Sequence, residues 1–299
     1  LKFVLGDDID YSTMGSRIMY PIGYDLMTSE GQKRAVFRGI FDGRGFEISN
    51  LTLGGYNNVV YDEGGAGVDI ATTKYLSMFT QNEGTIKNFG LINPSLELLV
   101  AHEEITKTAN IVGLNLPSGV VDQVYIIDNR TTISGSGIRM RSFEGMTEEY
   151  RAAGIVYKNQ GTFKSSYIVT KTVVYSNYSS LFKVQPLYYE NTGTINNVVY
   201  EDSYALSFLI DGSTYYVQTP INGTKASKSE LENNKLQGSP ANENLLSGNW
   251  YTYPLDRYPA LFSLNYSDGS YQINNAIDLV IMSKLISLNN TTTYQSASY

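Results

Sequence analysis

The side chains best suited to acid–base or metal chemistry are few and widely spaced in this sequence. His102 is the single histidine, and Glu103 and Glu104 follow it. An imidazole beside carboxylates can relay protons or bind a metal ion. One histidine without any cysteine cannot build the usual transition-metal site, however, and a Ser-His-Asp triad would need this same residue. We therefore interpret these three residues as part of a surface loop.

Asp7, Asp8 and Asp10 form the densest short acidic cluster. Carboxylate oxygens at such spacing are ligands that Ca²⁺ accepts. In a strand, Asp8 and Asp10 share one face while Asp7 faces away, and the full calcium-loop pattern with its distal glutamate is absent. The three aspartates are the metal candidates of this sequence, and Ca²⁺ is the ion that they would bind. Apart from them, we expect no cofactor, no cofactor-binding residue and no catalytic residue.

A second acidic group lies in a predicted loop insertion and contains Glu144, Glu148 and Glu149. Enzymes that cleave polysaccharides use paired carboxylates. These glutamates have no partner carboxylate on a predicted strand, and a solvated loop accounts for them about as well. We predict that the chain is not an enzyme, and a polysaccharide-degrading β-helix enzyme is an alternative.

Tyrosine is unusually abundant, with 25 copies among 299 residues. On a rigid strand face, tyrosines give amphipathic contact area at low entropic cost, which suits contacts with glycans or proteins. Stacked rings inside the core are the other interpretation, and both stay open. The second half of the chain is rich in them, at Tyr157, Tyr167, Tyr175, Tyr178, Tyr188, Tyr189 and Tyr200.

Composition excludes several classes of protein. The formal net charge is −7, which disfavours a nucleic-acid partner, and the absence of cysteine excludes disulfides and thiol nucleophiles. Hydrophobic residues make up 42% of the chain, enough for a large core. No apolar run reaches the length of a membrane span. Because the chain starts at Leu1 and shows no signal peptide, we expect a processed product or part of a longer polypeptide.

A short phrase of the form Asn-x-Gly-Thr-Ile-x-Asn recurs along the chain. It begins at Asn82 and again at Asn191, and degenerate copies lie around 118–126 and 159–168. The turn glycines are spaced by 32 to 42 residues, and each follows a short apolar segment; they are Gly84, Gly119, Gly161 and Gly193. After the glycine, side chains would alternate between two faces, with Ile86 on one face and Phe89 and Leu91 on the other. This alternation predicts β-strands. The repeated unit is therefore strand, tight turn, strand.

A unit of this size cannot bury its own apolar face, so successive units are expected to stack and share a core. An asparagine that recurs at one turn position can then form a ladder, in which each side-chain amide bonds to the next. The unequal spacing maps to loops outside the stack, with insertions near 62–73 and 134–150.

The N-terminal part adds three further motifs. They are Asp7-Asp8-Ile9-Asp10, Tyr20-Pro21-Ile22-Gly23, and a segment from Phe37 to Leu53 that contains Asp42-Gly43-Arg44-Gly45 and Asn50-Leu51. With Trp250 and Tyr258-Pro259-Ala260-Leu261, this order resembles the GLUG-motif β-helix modules of large bacterial surface proteins and adhesins. The resemblance covers roughly residues 3–262. It implies the structural motif residues Asp42, Gly43, Gly45, Asn50, Gly84, Asn88, Gly119, Gly161, Gly193, Asn197, Trp250 and Pro259.

Two helices are predicted near the C-terminus. Ser227 and Glu230 have the spacing of a capping box at the start of one helix, and Asn275 with Asp278 starts a second that runs to about Leu288. The predicted fold class is an all-β, right-handed parallel β-helix with short helices near the C-terminus, in which the handedness is what the resemblance implies. We expect two regions: a β-helix over 1–262, and a strand plus helix over 263–299 that opens a next module or docks on a neighbour.

The function expected from this sequence is structural and adhesive. The resemblance implies a non-catalytic extracellular module that spaces or presents a surface for glycan or protein, as one unit of a larger repeat protein or filament. Its partners would be other copies or modules of itself and a surface glycan or protein, with no nucleic acid and no membrane span. The location would be extracellular or at the cell surface. A bacteriophage fibre or decoration protein of the virion is the alternative.

Overall fold

The computed structural model is described for most of the repeated units and for shorter pieces between them. The described residues are 1–14, 19, 21–23, 26–28, 31–33, 35–55, 59–61, 67–69, 75–98, 107–128, 137–140, 150–169, 173–175, 182–201, 207–210, 213–216, 222–234, 244–248, 250–252, 258–261, 265–267 and 270–273.

Short strands dominate these residues. In the first part of the chain they are β1 (Lys2–Val4), β2 (Ile9–Asp10), β3 (Leu26–Thr28), β4 (Gly31–Lys33), β5 (Ile40–Asp42), β6 (Glu47–Ser49), β7 (Thr52–Gly55), β8 (Val59–Tyr61), β9 (Gly67–Asp69), β10 (Tyr75–Leu76), β11 (Phe79–Asn82), β12 (Thr85–Ile92), β13 (Ser95–Leu98), β14 (Lys107–Ala109), β15 (Val112–Asn115) and β16 (Val120–Ile127).

The second part continues this pattern and adds helix α1 (Lys228–Asn233). A 3₁₀ turn in the first part covers Tyr11–Met14. Its strands are β17 (Gly137–Met140), β18 (Tyr150–Ala153), β19 (Val156–Asn159), β20 (Thr162–Val169), β21 (Val173–Tyr175), β22 (Phe182–Gln185), β23 (Tyr188–Asn191), β24 (Thr194–Glu201), β25 (Ser207–Ile210), β26 (Ser213–Tyr216), β27 (Thr224–Ala226), β28 (Trp250–Tyr251), β29 (Ala260–Leu261), β30 (Asn265–Ser267) and β31 (Ser270–Gln272).

Four larger sheets are built from strands that lie far apart in the chain. Sheet I has nine strands, in the order β1-β5-β12-β16-β20-β24-β27 with β2 and β6 at one end. Sheet II is β10-β14-β18-β22, and sheet III is β11-β15-β19-β23. Sheet IV is β26-β25-β21-β17-β13-β7, in which β25 and β26 are antiparallel. The other neighbours in these sheets pair in parallel.

The repeated units keep one register across sheet I. Ile86 of β12 pairs with Phe41 on one side and with Val121 on the other, and the row continues through Phe163 to Ile195. Most of these side chains belong to a single core. The degenerate copies therefore occupy the same positions in the sheet as the copies that match the repeated phrase closely. Apolar residues fill the row even where the turn residues differ.

A left-handed residue interrupts each long strand of sheet I. Asn88 has φ 59°, and the equivalent residues Gln123, Ser165 and Asn197 have φ between 50° and 53°. The left-handed residue shifts the alternation of side chains along the strand, so that Ile86 and Phe89 are both fully buried in the same core. The simple two-residue alternation expected over this strand is wrong at this point, because the left-handed residue reverses which face follows it.

An asparagine ladder runs through the stacked turns. The side-chain amide of Asn82 donates to Asn115 Oδ1, that of Asn115 to Asn159 Oδ1, and that of Asn159 to Asn191 Oδ1, each at 2.8 Å. The first three side chains are fully buried. Each amide thereby satisfies the next one in an environment where an unpaired polar group would be costly.

The predicted fold class is wrong as a description of this chain. The described residues contain one α-helix, α1, and no helix-rich C-terminus. The strands divide among several parallel sheets, and the two-stranded antiparallel sheets β3-β4, β8-β9, β28-β29 and β30-β31 are added to them, so the layout is not plainly a β-helix. The repeat spacing predicts the strand–turn–strand unit. It does not predict how the long connections between units fold.

Helix α1 has the predicted capping box, since Ser227 Oγ accepts from the Glu230 amide while the Glu230 carboxylate accepts from the Ser227 amide. The second predicted helix, from Asn275, lies outside the described residues, and the boundary between residues 262 and 263 stays a prediction.

Candidate ligand-binding face

One register row of sheet II carries an aromatic residue followed by three cations. Tyr75 pairs with Lys107, Lys107 with Arg151, and Arg151 with Lys183. Neighbouring strands lie about 4.8 Å apart, so the row places one basic residue on each of three successive strands. Lys183 is exposed, and Lys107 and Arg151 are half-buried. None of these spacings is visible in the sequence, because the cations are far apart along the chain.

The corresponding charged row of sheet I is built differently. Asp42, Lys87, Asp122 and Lys164 occupy successive strands of one row and alternate in sign. Lys87 Nζ lies 3.6 Å from Asp42 Oδ2, and Lys164 Nζ lies 3.3 Å from Asp122 Oδ2. Opposite charges alternate along that row, whereas the basic row of sheet II has neighbours of the same sign.

Three tyrosines cluster beside the basic row, two of them stacked and the third tilted against them. The ring of Tyr157 is nearly parallel to that of Tyr189, at a centroid distance of 5.3 Å, and its other neighbour is the Tyr75 ring at 5.6 Å. Tyr157 is fully buried against Ala109 and Ala153, while Tyr75 and Tyr189 are half-buried. The small alanines leave room for the rings, so the outer two tyrosines keep part of their surface in contact with solvent.

Cations cover the two outer rings. Lys107 Nζ lies 5.9 Å from the centre of the Tyr75 ring, and the Arg151 guanidinium lies 5.7 Å from the centre of the Tyr189 ring. These distances are within the range of cation–π attraction. The rings and cations therefore form one continuous surface, which we call the tyrosine–basic face: Tyr75, Lys107, Arg151, Tyr157, Lys158, Lys183, Tyr189 and Glu190.

Glu190 is the carboxylate of this face. Its Oε2 lies 2.8 Å from Lys158 Nζ, and its Oε1 lies 3.9 Å from Arg151. The hydrogen bond from Lys158 is the main cause that lowers the pKa of Glu190, and Glu190 in turn raises the pKa of Lys158. Burial raises the pKa of Tyr75 and of Tyr157. At neutral pH Tyr75 and Tyr157 are thus uncharged, while Glu190 and Lys158 are ionised.

A second cluster lies on the outer side of sheet I. Tyr125 stacks on Tyr167 at a centroid distance of 5.2 Å, and Trp250 packs against both rings. The Tyr167 hydroxyl donates to the Pro259 carbonyl oxygen at 2.6 Å. Trp250 and Pro259, both expected as structural motif residues, therefore hold residues 250–252 and 258–261 against sheet I through these two tyrosines.

Glu47 is a half-buried acid at the edge of this second cluster. Its Oε1 accepts a hydrogen bond from the Tyr125 hydroxyl at 2.5 Å. Desolvation is the main cause that raises the pKa of Glu47, and the nearby Asp8 carboxylate raises it further. Sequence reasoning did not single out Glu47, because its partner Tyr125 lies 78 residues away.

The three aspartates proposed as metal candidates use their carboxylates within the fold. Asp7 Oδ1 accepts from the Asp8 amide and Asp8 Oδ1 from the Glu47 amide, both at 2.8 Å. Asp10 accepts from the Asn50 side chain, as well as from the Ser12 amide and hydroxyl, and these hydrogen bonds lower the pKa of Asp10. Within the described residues, no three acidic or histidine side chains gather into a group that could hold a metal ion.

The remaining motif residues form turns between strands or occupy left-handed positions within them. Asp42 Oδ1 accepts from the Arg44 amide and from Asn88 Nδ2, which closes the turn that contains Gly43 and Gly45. Asn50 has φ 57°, and Asn197 Nδ2 donates to the Leu245 carbonyl oxygen at 3.1 Å. The four turn glycines, Gly84, Gly119, Gly161 and Gly193, lie where a Cβ would come within 2.3 Å of an atom of a neighbouring turn or of a ladder asparagine.

Several sequence-derived candidates lie outside the described residues. They are His102, Glu103 and Glu104, the loop glutamates Glu144, Glu148 and Glu149, and Tyr178. Of the other tyrosines singled out, Tyr157, Tyr167, Tyr188, Tyr189 and Tyr200 pack in or against the core clusters. The sequence therefore pointed to tyrosine as a feature of interest, but not to Arg151, which covers the ring of Tyr189.

Within the described part of the chain, no helix is both long and apolar enough to cross a membrane. A scan against protein-family models finds no match, and a search of curated proteins finds none either. The resemblance to GLUG-motif modules accordingly stays a prediction.

Among solved structures, the chain is similar to a crystal structure of a "putative immunoglobulin A1 protease" from Bacteroides ovatus. The two share 15% sequence identity at a TM-score of 0.40, over 87% of this chain and 85% of the other. The prediction that this chain is not an enzyme is corrected by this comparison, since the similar structure is named as a protease. A likeness at this level assigns no catalytic residue, and no reaction is transferred from it.

Proposed function

We propose that this chain is an extracellular structural module that presents the tyrosine–basic face to a glycan ligand. The single observation that carries the proposal is the cluster of Tyr75, Tyr157 and Tyr189, whose outer rings are half-buried and flanked by cations. Tyrosine rings offer a flat apolar surface together with a polar hydroxyl, which matches the apolar faces and hydroxyl groups of sugars.

The support beneath this face favours a binding role. Its side chains stand on β10, β14, β18, β19, β22 and β23, strands of two parallel sheets that share the main core. Sites on strands are held more precisely than sites on loops, and a rigid aromatic residue loses little conformational entropy when it binds. The face is therefore preorganised for contact with a ligand.

Glycan-array screening of the purified chain tests the proposal. The double variant Tyr75→Ala/Tyr189→Ala removes the two solvent-contacting rings, and Tyr258→Ala, which changes a half-buried tyrosine beside the second cluster, is the control. We expect glycan binding by the wild type and by Tyr258→Ala, and its loss in the double variant. Thermal unfolding checks that all three proteins are folded. Absence of binding to any glycan, or equal binding by the double variant, would overturn the proposal.

A further inference from the structure

We infer that the tyrosine–basic face recognises its glycan through two adjacent hydroxyl groups of one sugar, which bind the Lys158–Glu190 ion pair. This inference rests on the proposed glycan-binding function and deepens it, because it names the class of ligand, a polysaccharide with free vicinal diols, and the two residues that select it. The observation that carries it is an accessible ammonium and carboxylate held 2.8 Å apart beside the tyrosine rings.

The sheet holds the two side chains together. Lys158 of β19 and Glu190 of β23 lie directly opposite each other in the register of sheet III. Lys158 Nζ lies 2.8 Å from Glu190 Oε2, which is the distance of a charge-assisted hydrogen bond. Since adjacent strands of one parallel sheet fix both backbones, the pair presents a hydrogen-bond donor and an acceptor side by side.

Both groups keep hydrogen-bonding capacity for a ligand. The hydrogen bond from Lys158 lowers the pKa of Glu190, and the charges of Lys158, Lys107 and Arg151 lower it further, so Glu190 is ionised and only accepts. A carboxylate has about four acceptor positions and an ammonium has three N–H donors. Because a hydroxyl both donates and accepts, one sugar hydroxyl can donate to Glu190 while its neighbour accepts from Lys158.

The pair is more open to solvent than the ion pairs of sheet I. The side chain of Glu190 is 33% exposed and that of Lys158 is 30% exposed. The carboxylate residues of the sheet I pairs, Asp42 and Asp122, are 12% and 17% exposed. A ligand on the surface can therefore reach Glu190 more readily than either of these aspartates.

The tyrosine rings lie next to the pair. The Tyr157 hydroxyl donates to Glu190 Oε1 at 3.4 Å. Burial raises the pKa of Tyr75, the charge of Lys158 lowers it and the charge of Glu190 raises it, so both charges lie near the Tyr75 hydroxyl. An apolar surface with a few fixed polar groups is the usual composition of a small-molecule site. A sugar that stacks on Tyr75 can thus reach the pair with its hydroxyls.

The opposite charges of the pair favour a neutral group over an ion. An anionic group placed against both side chains would be repelled by Glu190, and a cationic group would be repelled by Lys158. A vicinal diol meets neither repulsion and offers two hydroxyls side by side, which matches the 2.8 Å spacing of the two charged atoms. The ligand contact at this position is therefore a pair of hydroxyls.

Binding measurements with native and O-methylated polysaccharides test the inference. The probes are dextran, galactomannan and xylan, which carry free vicinal diols, and the O-methylated form of each, which keeps the sugar rings but has lost the hydroxyl hydrogens. We expect the wild type to bind at least one native polysaccharide, and to bind its O-methylated form at least about tenfold more weakly, because hydrogen bonds to ionised groups are strong.

Two variants connect this discrimination to the ion pair. Glu190→Gln and Lys158→Met should each weaken binding of the native polysaccharide at least about tenfold. In both variants, O-methylation should then change the affinity less than about threefold, because the hydrogen bonds that it removes are already lost. Asp122→Asn, which removes the carboxylate of an ion pair on sheet I, is the matched control and should keep the wild-type affinity and discrimination. Thermal unfolding checks that each variant is folded.

Equal binding of the native and O-methylated polysaccharides by the wild type would overturn the inference but leave the proposed function intact. Wild-type discrimination in folded Glu190→Gln and Lys158→Met would overturn it too, because the hydroxyls would then be recognised elsewhere. Failure of all three native polysaccharides to bind would also overturn the inference, and only a glycan array without any binder overturns the proposed function as well.

Discussion

The Tyr125 hydroxyl donates a hydrogen bond to Glu47 Oε1 at 2.5 Å across the backbone of Gly90. Glu47 and Gly90 pair on one side of β12, and Gly90 and Tyr125 pair on the other, so the three residues share one row. The Tyr125 ring covers Gly90 and reaches the strand beyond it. This contact joins the N-terminal strands to the repeated units, and its geometry requires a glycine in the middle.

Replacement of Gly90 by alanine should destabilise the protein. A Cβ at Gly90 would lie 2.3 Å from Cζ of the Tyr125 ring, which is itself fully buried and cannot move aside freely. Overpacking of this kind costs about 1–3 kcal/mol in the free energy of unfolding. Gly6→Ala is the matched control, because a Cβ there meets nothing within 4 Å. Urea unfolding measures both, and an equal effect of the two substitutions would contradict this account.

Glu47 should make stability depend on pH in a defined direction. Desolvation raises its pKa above the ordinary value of 4.5, so the folded state holds the proton more tightly than the unfolded chain does. The stability that Glu47 contributes is therefore complete below pH 4.5 and is lost as the pH rises through the raised pKa.

The difference between wild type and Glu47→Gln measures this contribution, because glutamine has no proton to lose at this position. We expect the urea midpoint of the wild type, relative to Glu47→Gln, to fall between pH 4 and pH 7. A relative midpoint that rises over the same interval would show that the pKa of Glu47 is lowered in the fold.

The asparagine ladder should be most sensitive at its centre. Asn115→Ala removes the acceptor for Asn82 and the donor to Asn159, and both partners are fully buried. Buried polar groups left without a partner cost about 1–3 kcal/mol, so we expect a loss of this size in the free energy of unfolding. Asn191→Ala, at the exposed end of the ladder, should cost less because water can replace the lost partner. A larger loss for Asn191→Ala would contradict the ladder as a source of stability.

Local sequence patterns predicted local structure, and long-range pairing decided the rest. The Gly-Thr-Ile phrase located β12 and β24, and the spacing of Ser227 and Glu230 located the start of α1. The degenerate copies with Gln123 and Ser165 still adopt the left-handed turn, because the neighbouring strands impose its register. The fold class was predicted wrongly, since the repeat pattern contains no information on how the connections between units fold.

The tyrosine–basic face could not be read from the sequence for a similar reason. Lys107, Arg151 and Lys183 belong to different units, and nothing within any one unit marks its lysine or arginine as special. Their juxtaposition follows only from the parallel pairing of β14, β18 and β22. The tyrosine content signalled a recognition surface, but Gly113, beside which the Tyr75 side chain lies, was not singled out.

Hydrogen–deuterium exchange in the presence of a glycan that binds in the array tests most directly whether the tyrosine–basic face binds the ligand. We predict slower exchange in the peptides that contain β14, β18, β22 and β23, and unchanged exchange in those that contain β12 and β16 of sheet I. Ligand-induced protection of sheet I, with none on β14, β18, β22 and β23, would contradict the account.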